Sequence, residues 1–159
     1  MTSFNVKPSN RYPSLALGLA TLATTWVAVG SGSAMAQEYY EEQVTAQLNF
    51  AASAVGLSGY DMVYDPFIDS TGAGTTDSLS VTLYKGVSYT LVGVCDEDCS
   101  DLDLELFNAK GHSIDSDYAG DDFPIVEVTP AKTSRFTLNV QMFSCSNEPC
   151  YYGIGVFAQ

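Results

Sequence analysis

Asp101-Leu102-Asp103-Leu104-Glu105-Leu106-Phe107 sets a leucine at every second position and an acid in each gap. A period of two puts the leucines on one side of an extended chain and the carboxylates on the other, as in a strand with one face buried. The same period runs through Phe136, Leu138, Val140 and Met142, and through Leu79, Val81 and Leu83. Lys85-Gly86 then turns the chain into an apolar strand over residues 88–94, and Asn108-Ala109-Lys110-Gly111 makes a further turn. Ile114 marks a short strand, and Ile125, Val126 and Val128 mark another. A last strand over residues 151–158 has Ile154 and Val156 on one face and Phe157 on the other. About seven short strands divided by turn signals predict an all-β fold, an antiparallel β-sandwich. Strands do not alternate with long helices, which excludes a parallel α/β sheet.

Upstream the period becomes that of a helix. Tyr40, Val44, Leu48, Ala51 and Val55 recur at helical spacings, and Gly56 and Gly59 follow them. This predicts one N-terminal helix over residues 38–55, with Glu38, Glu41 and Glu42 near the amino end favoured by the helix dipole. Its apolar stripe suits the edge of its own domain, and also the groove of a partner. Residues 57–77, with Pro66, Gly72 and Gly74, read as a loop-rich connection. The expected organisation is a helix and linker over 37–77 and a sandwich over 78–159.

Residues 1–36 are laid out as a secretory signal peptide. Lys7 and Arg11 give the positive start, residues 15–29 the apolar stretch, and Ala34-Met35-Ala36 the small-residue cleavage pattern before Gln37. Gly18, Thr21, Thr24 and Thr25 interrupt that stretch and argue against a retained membrane anchor. The expectation is removal of the segment, no membrane insertion afterwards, and a secreted or periplasmic protein.

The 159 residues hold 19 acids against 6 bases, a formal charge of −13, and beyond residue 36 the only bases are Lys85, Lys110, Lys132 and Arg135. Such a chain has no cationic face for phosphates, so nucleic acid is excluded as a partner. The four cysteines, Cys95, Cys99, Cys145 and Cys150, all follow the signal segment. An even count in an exported chain reads as disulfides. The two close pairs, Cys95 with Cys99 and Cys145 with Cys150, flank turn-like segments and favour local bridges. Cross-pairing of the two loops and a zinc site are the alternatives, although neither spacing is C-x2-C.

Gly86-Val87-Ser88-Tyr89-Thr90-Leu91, Asp101-Leu102-Asp103-Leu104-Glu105-Leu106-Phe107 with Lys110-Gly111, Phe136-Thr137-Leu138-Asn139-Val140 and Tyr152-Gly153-Ile154-Gly155-Val156 follow one another in an order met elsewhere. Together they resemble the bacterial pre-peptidase C-terminal domain, over roughly residues 78–158. The resemblance implies a jelly-roll-like β-sandwich. Such domains sit beside secreted peptidases, and collagenase relatives bind collagen with calcium as a structural ion. The two cysteine loops and the N-terminal helix are departures from that pattern, and no ligand-binding surface is carried over.

Asp96, Asp98, Asp101 and Asp103, with Glu97 among them, are the candidate metal ligands. Calcium takes six to eight oxygens, and carboxylates on a cysteine-pinned loop running into a strand would supply several. Against this, Asp101 and Asp103 stand about 6.6 Å apart along one strand face, so sharing an ion requires them to converge. The plainer reading, which the acidic composition favours, is a solvated edge that discourages strand pairing between molecules. A second acidic group, Asp115, Asp117, Asp121 and Asp122, fails as an EF-hand, because Ala119 and Val126 stand where ligands are needed and Pro124 interrupts the loop. His112, the only histidine, follows a glycine in a turn, and there is no G-x-S-x-G elbow, P-loop or HExxH.

Tyr39, Tyr40, Tyr60, Tyr64, Tyr84, Tyr89, Tyr118, Tyr151 and Tyr152 suit half-buried strand and rim positions, or a glycan platform where several share a face. The function expected is that of a non-catalytic binding or accessory module for an extracellular protein or polysaccharide, with calcium as its one candidate ion. A small hydrolase using carboxylates, or an assembly subunit docking through its helix, are the competing readings.

Overall fold

A computed structural model of the chain describes residues 31–54, 56–57 and 59–159. Most of the predicted signal segment, residues 1–30, lies outside the described residues, as does Val55. One helix and nine strands follow in order: α1 (Ser31–Ala54), β1 (Asp61–Met62), β2 (Phe67–Thr71), β3 (Thr75–Leu83), β4 (Tyr89–Cys95), β5 (Cys99–Phe107), β6 (Ser113–Asp117), β7 (Ile125–Val128), β8 (Ser134–Cys145) and β9 (Cys150–Ala158). All strand pairs are antiparallel. One five-stranded sheet runs β1-β9-β4-β7, with β2 also on β9, and a four-stranded sheet runs β3-β8-β5-β6.

The alternating residues do what their period requires. Leu102, Leu104 and Leu106 of β5 meet Leu138, Val140 and Met142 of β8, and all six are shut into the space between the sheets. From the opposite sheet Leu91, Tyr152, Ile154 and Val156 complete that core. Phe157 faces the other way, as expected, and belongs to a second cluster with Val92 and Val94.

That second cluster lies under the helix. Val44, Leu48 and Ala51 of the predicted stripe are fully buried against the outer face of β4 and β9. The molecule therefore has three layers rather than two, and β4 is buried along its whole length. Gly153 and Gly155 make the close approach possible. A Cβ on Gly153 would stand 2.3 Å from Val44 Cγ1, and one on Gly155 would stand 3.3 Å from Leu48 Cδ2. The side chains of α1 fill the volume that a larger residue in β9 would occupy.

Three expectations are corrected. α1 begins at Ser31, not at residue 38, so Glu38, Glu41 and Glu42 lie beyond its first turn, where the helix dipole has faded. The stretch 57–77 is not simply a loop: it supplies β1, β2 and the first residues of β3. These added strands take the count from about seven to nine. Of the described residues, no helix is long and apolar enough to cross a membrane.

One seam of the sandwich is laced by carboxylates. Asp115 Oδ2 of β6 accepts from the Glu127 amide of β7 at 2.7 Å, and Asp117 Oδ2 accepts from the Ile125 amide at 2.9 Å. These are the outward amides of an edge strand, so the acids that fail as an EF-hand satisfy backbone donors that would otherwise be left open.

The glycine contact gives a direct test. Gly153→Ala is expected to cost about 1–3 kcal/mol by overpacking. Combined with Val44→Ala, which vacates the clashing methyl, the loss should be clearly less than the sum of the two single losses in chemical denaturation. Additive losses would show that the two positions do not touch.

Candidate functional site

Residues 96–98, 118–124, 146–149 and 72–74 all turn at one end of the sandwich, because β4, β6, β8 and β2 finish there. Cys95 is bridged to Cys99 and Cys145 to Cys150. The local pairing is thus the one formed, and it leaves neither cross-pairing nor a thiolate for zinc. Cys99 and Cys145 are also register partners across β5 and β8, which sets the two bridged loops side by side.

Asp96 locks these loops together. Only 1% exposed, its carboxylate accepts from the Tyr151 amide at 2.7 Å and from the Asp98 amide at 3.2 Å. Burial pushes its pKa up, and the two amide donors pull part of the way back. Asp98 ties the first loop to the second through its backbone: its carbonyl accepts from the Ser146 amide at 2.8 Å and from Ser146 Oγ at 2.9 Å. Its carboxylate stands 3.4 Å from Asn147 Nδ2 and 3.4 Å from Tyr40 Oη. Glu148 Oε1 accepts from the Ala73 amide at 3.0 Å, joining the β2–β3 turn to the same group.

The other two candidate ligands lie elsewhere. Leu102 and Leu104 point into the core, so Asp101 and Asp103 project from the outer face of β5. There the residues after β6 approach them, held by a hydrogen bond from the Leu102 amide to the Asp121 carbonyl at 2.9 Å. Asp103 is 7% exposed, and its pKa is raised by burial first, then by the charges of Asp101, Asp117 and Asp121. Asp101 Oδ1 is buried with no hydrogen-bond partner.

The four-carboxylate calcium site is therefore not assembled. Asp96 and Asp98 lie in the turn before β5, Asp101 and Asp103 lie on its outer face, and Asp96 already spends its oxygens on backbone amides. Among the described residues no three His, Cys, Asp or Glu side chains stand together as a metal site.

Of the tyrosines, three gather at this end. Tyr40 stacks on Tyr151 with ring centroids 5.4 Å apart at 10°, and Tyr39 meets Tyr40 edge-on at 5.3 Å. One face of each stacked ring is taken up by the other, and Tyr39 is left mostly exposed beside them. Tyr152 is a core residue whose hydroxyl donates to Asp77 at 3.0 Å, and burial raises its pKa. Tyr118 is pushed up to about 12, chiefly by its hydrogen bond to Glu105. His112 is exposed in the β5–β6 turn, where its amide donates to Asn108 Oδ1 at 3.1 Å. Sequence reading missed the roles of Ser146, Asn147 and Glu148; polar residues inside a bridged loop are the signal that would have pointed to them.

Charge is divided between the two ends. Asp96, Glu97, Asp98, Asp121, Asp122 and Glu148 lie in the turns of the disulfide-bridged end. All the basic residues among the described ones, Lys85, Lys110, Lys132 and Arg135, lie in or beside the turns of the opposite end.

No family model matches the chain, and no curated protein matches it. Solved structures similar to it include the pre-peptidase C-terminal domain of a collagenase from Bacillus anthracis, at 13% identity and a TM-score of 0.46, covering 58% of this chain and 87% of that one. Another is PliG of Aeromonas hydrophila, a periplasmic inhibitor of g-type lysozyme, at 12% identity and a TM-score of 0.43, covering 60% of this chain and 85% of that one. No residue's role is carried over from either.

The buried carboxylate sets a pH dependence. The fold holds the Asp103 proton more tightly than the unfolded chain does, so stability falls as pH rises from the ordinary carboxylate value to the raised one. Asp103→Asn is expected to raise the melting temperature at pH 7 by about 2–6 °C. The gain should vanish below the ordinary carboxylate range, where both side chains are neutral. A lower melting temperature at pH 7 would contradict this account.

Proposed function

We propose that the protein is a non-catalytic binding module of an exported, oxidising compartment, and that its disulfide-bridged end meets a cationic partner protein. The observation that carries this reading is the separation of charge, with six acids in the turns of that end and all the described bases at the far end. Local carboxylates of one sign steer a positively charged partner and orient it before contact. The two disulfides support the compartment, since such bridges persist where thiols are oxidised. The loops are also stiff, because Asp96 is bonded to the start of β9 and Asp98 to Ser146 of the second loop, so little ordering cost is left for binding.

Two charge-matched double variants test the reading against a basic globular protein, cytochrome c, as the probe. Glu97→Gln with Asp98→Asn neutralises the acidic end, whereas Asp61→Asn with Asp65→Asn removes the same charge elsewhere. The first is expected to slow association roughly two- to tenfold at low salt, with the effect fading as salt rises, and the second to change it little. Equal slowing by both would mean that net charge alone acts and that no end is distinguished.

A further inference from the structure

The groove along α1 carries a feature that neither the sandwich nor the bridged loops use. Gln43 and Gln47 stand one helical turn apart, and the Oε1 atom of each is buried with no hydrogen-bond partner. Both residues line a groove of about 570 Å³, with Phe50, Val94, Asp122 and Phe123 as other walls. Phe50 is 72% exposed, a large apolar side chain left at the rim by a helix that otherwise buries its apolar stripe. Asp122 adds a carboxylate from the turn between β6 and β7.

Two idle acceptors in one groove cost stability for as long as they lack donors. The chemistry that satisfies them is narrow. It must bring several N–H donors, because both amide oxygens and a carboxylate are acceptors. It must also bring positive charge for Asp122 and an apolar stem for the Phe50 and Phe123 walls. A guanidinium on its three-carbon stem has all three properties: a planar fork of five donors, a permanent charge, and a flat face that stacks on aromatic rings. An ammonium offers donors from a single point and stacks less well, and a neutral amide leaves Asp122 unpaired.

We propose that this groove is a socket for an arginine side chain of the partner protein. The socket rests on the reading of a cationic partner given above and names the residue type by which that partner is gripped. With Phe50 turned aside, the Gln43 and Gln47 side chains swing their buried oxygens into the groove and accept from the guanidinium, Asp122 pairs with its charge, and Phe50 and Phe123 flank the stem. Phe50, being mostly exposed, loses little contact when it turns to admit the group. A second copy of this chain is a poorer occupant. Its arginine among the described residues, Arg135, lies at the far end of a molecule with a net charge of −13, and two such molecules repel.

The test titrates the whole protein with acetyl-Gly-Arg-Gly-amide, its citrulline counterpart and its lysine counterpart, followed by the NMR signals of the Gln43 and Gln47 side-chain amides and of Phe123. Saturable shifts at those residues with the arginine peptide are expected, with at least tenfold weaker binding of the citrulline peptide and an intermediate effect of lysine. Gln43→Leu with Gln47→Leu should melt higher than the parent, since two unsatisfied acceptors are gone, yet lose the arginine peptide. Asp122→Asn, which leaves the helix untouched, should weaken the peptide severalfold. Equal binding of citrulline, or unchanged binding by both variants, overturns the socket. So does concentration-dependent growth in mass by sedimentation that Arg135→Gln abolishes, because the groove would then hold a second copy. Loss of charge steering with arginine binding intact would count against the acidic end alone, and the reverse result against the socket alone.

Discussion

The approach of Val44 and Leu48 to the bare backbone of Gly153 and Gly155 sets the spacing of the other layers. Strands β4 and β9 form the middle of the larger sheet, and both bury side chains on two faces. One face is covered by β5 and β8, the other by α1. Without the helix, Val92, Val94 and Phe157 would be open to water. Burial of aliphatic and aromatic side chains of this kind is worth about 1.5–3 kcal/mol each, so losing this cluster would remove a large share of a small domain's stability. The helix is in this sense part of the core. That disposes of its stripe as a free docking face, and leaves Glu38, Tyr39, Glu42, Ala46, Asn49 and Phe50 among the helix residues facing outward.

The acids are placed by the same economy. A chain of this charge must keep carboxylates apart or give them donors, and it does both. Asp115 and Asp117 take the edge amides of β7, Asp96 takes the amides of Asp98 in its own loop and of Tyr151 at the start of β9, and Glu148 takes that of Ala73. Used so, they act as local staples in which each carboxylate is hydrogen-bonded to backbone. Asp101 and Asp103 are the exception: Asp103 is buried, and one oxygen of the half-buried Asp101 is shut in without a hydrogen-bond partner. The bases are kept from all of these acids and collected at the other end, which leaves the bridged end uniformly negative and gives the molecule a direction.

Much of this was legible in the residues. Period two in β3, β5 and β8 determined which side chains entered the core, and the stripe of Val44, Leu48 and Ala51 identified the helix. Cysteine spacing pointed to the local bridges. The remainder depends on contacts distant in sequence. β1 and β2 are too short and too interrupted by Pro66 and Gly72 to show a period, and they exist because β9 offers them an edge. The four candidate calcium ligands looked contiguous, yet two fall in the turn before β5 and two on the outer face of that strand. Gly153 makes room for Val44 and Leu48 of the helix, and Gly155 for the Phe157 ring as well as Leu48, contacts that no local pattern shows. The groove beside α1 was invisible because Phe123 and Asp122 join Gln43 and Gln47 only once β7 is placed.

Amide hydrogen exchange along the intact chain tests the three-layer core most directly. If α1 belongs to the core, the amides from Val44 to Ala51 will exchange as slowly as those of β4 and β9, through the same global opening. Fast exchange in the helix beside protected strands would contradict this, and would return the molecule to a two-layer sandwich with a loosely attached helix.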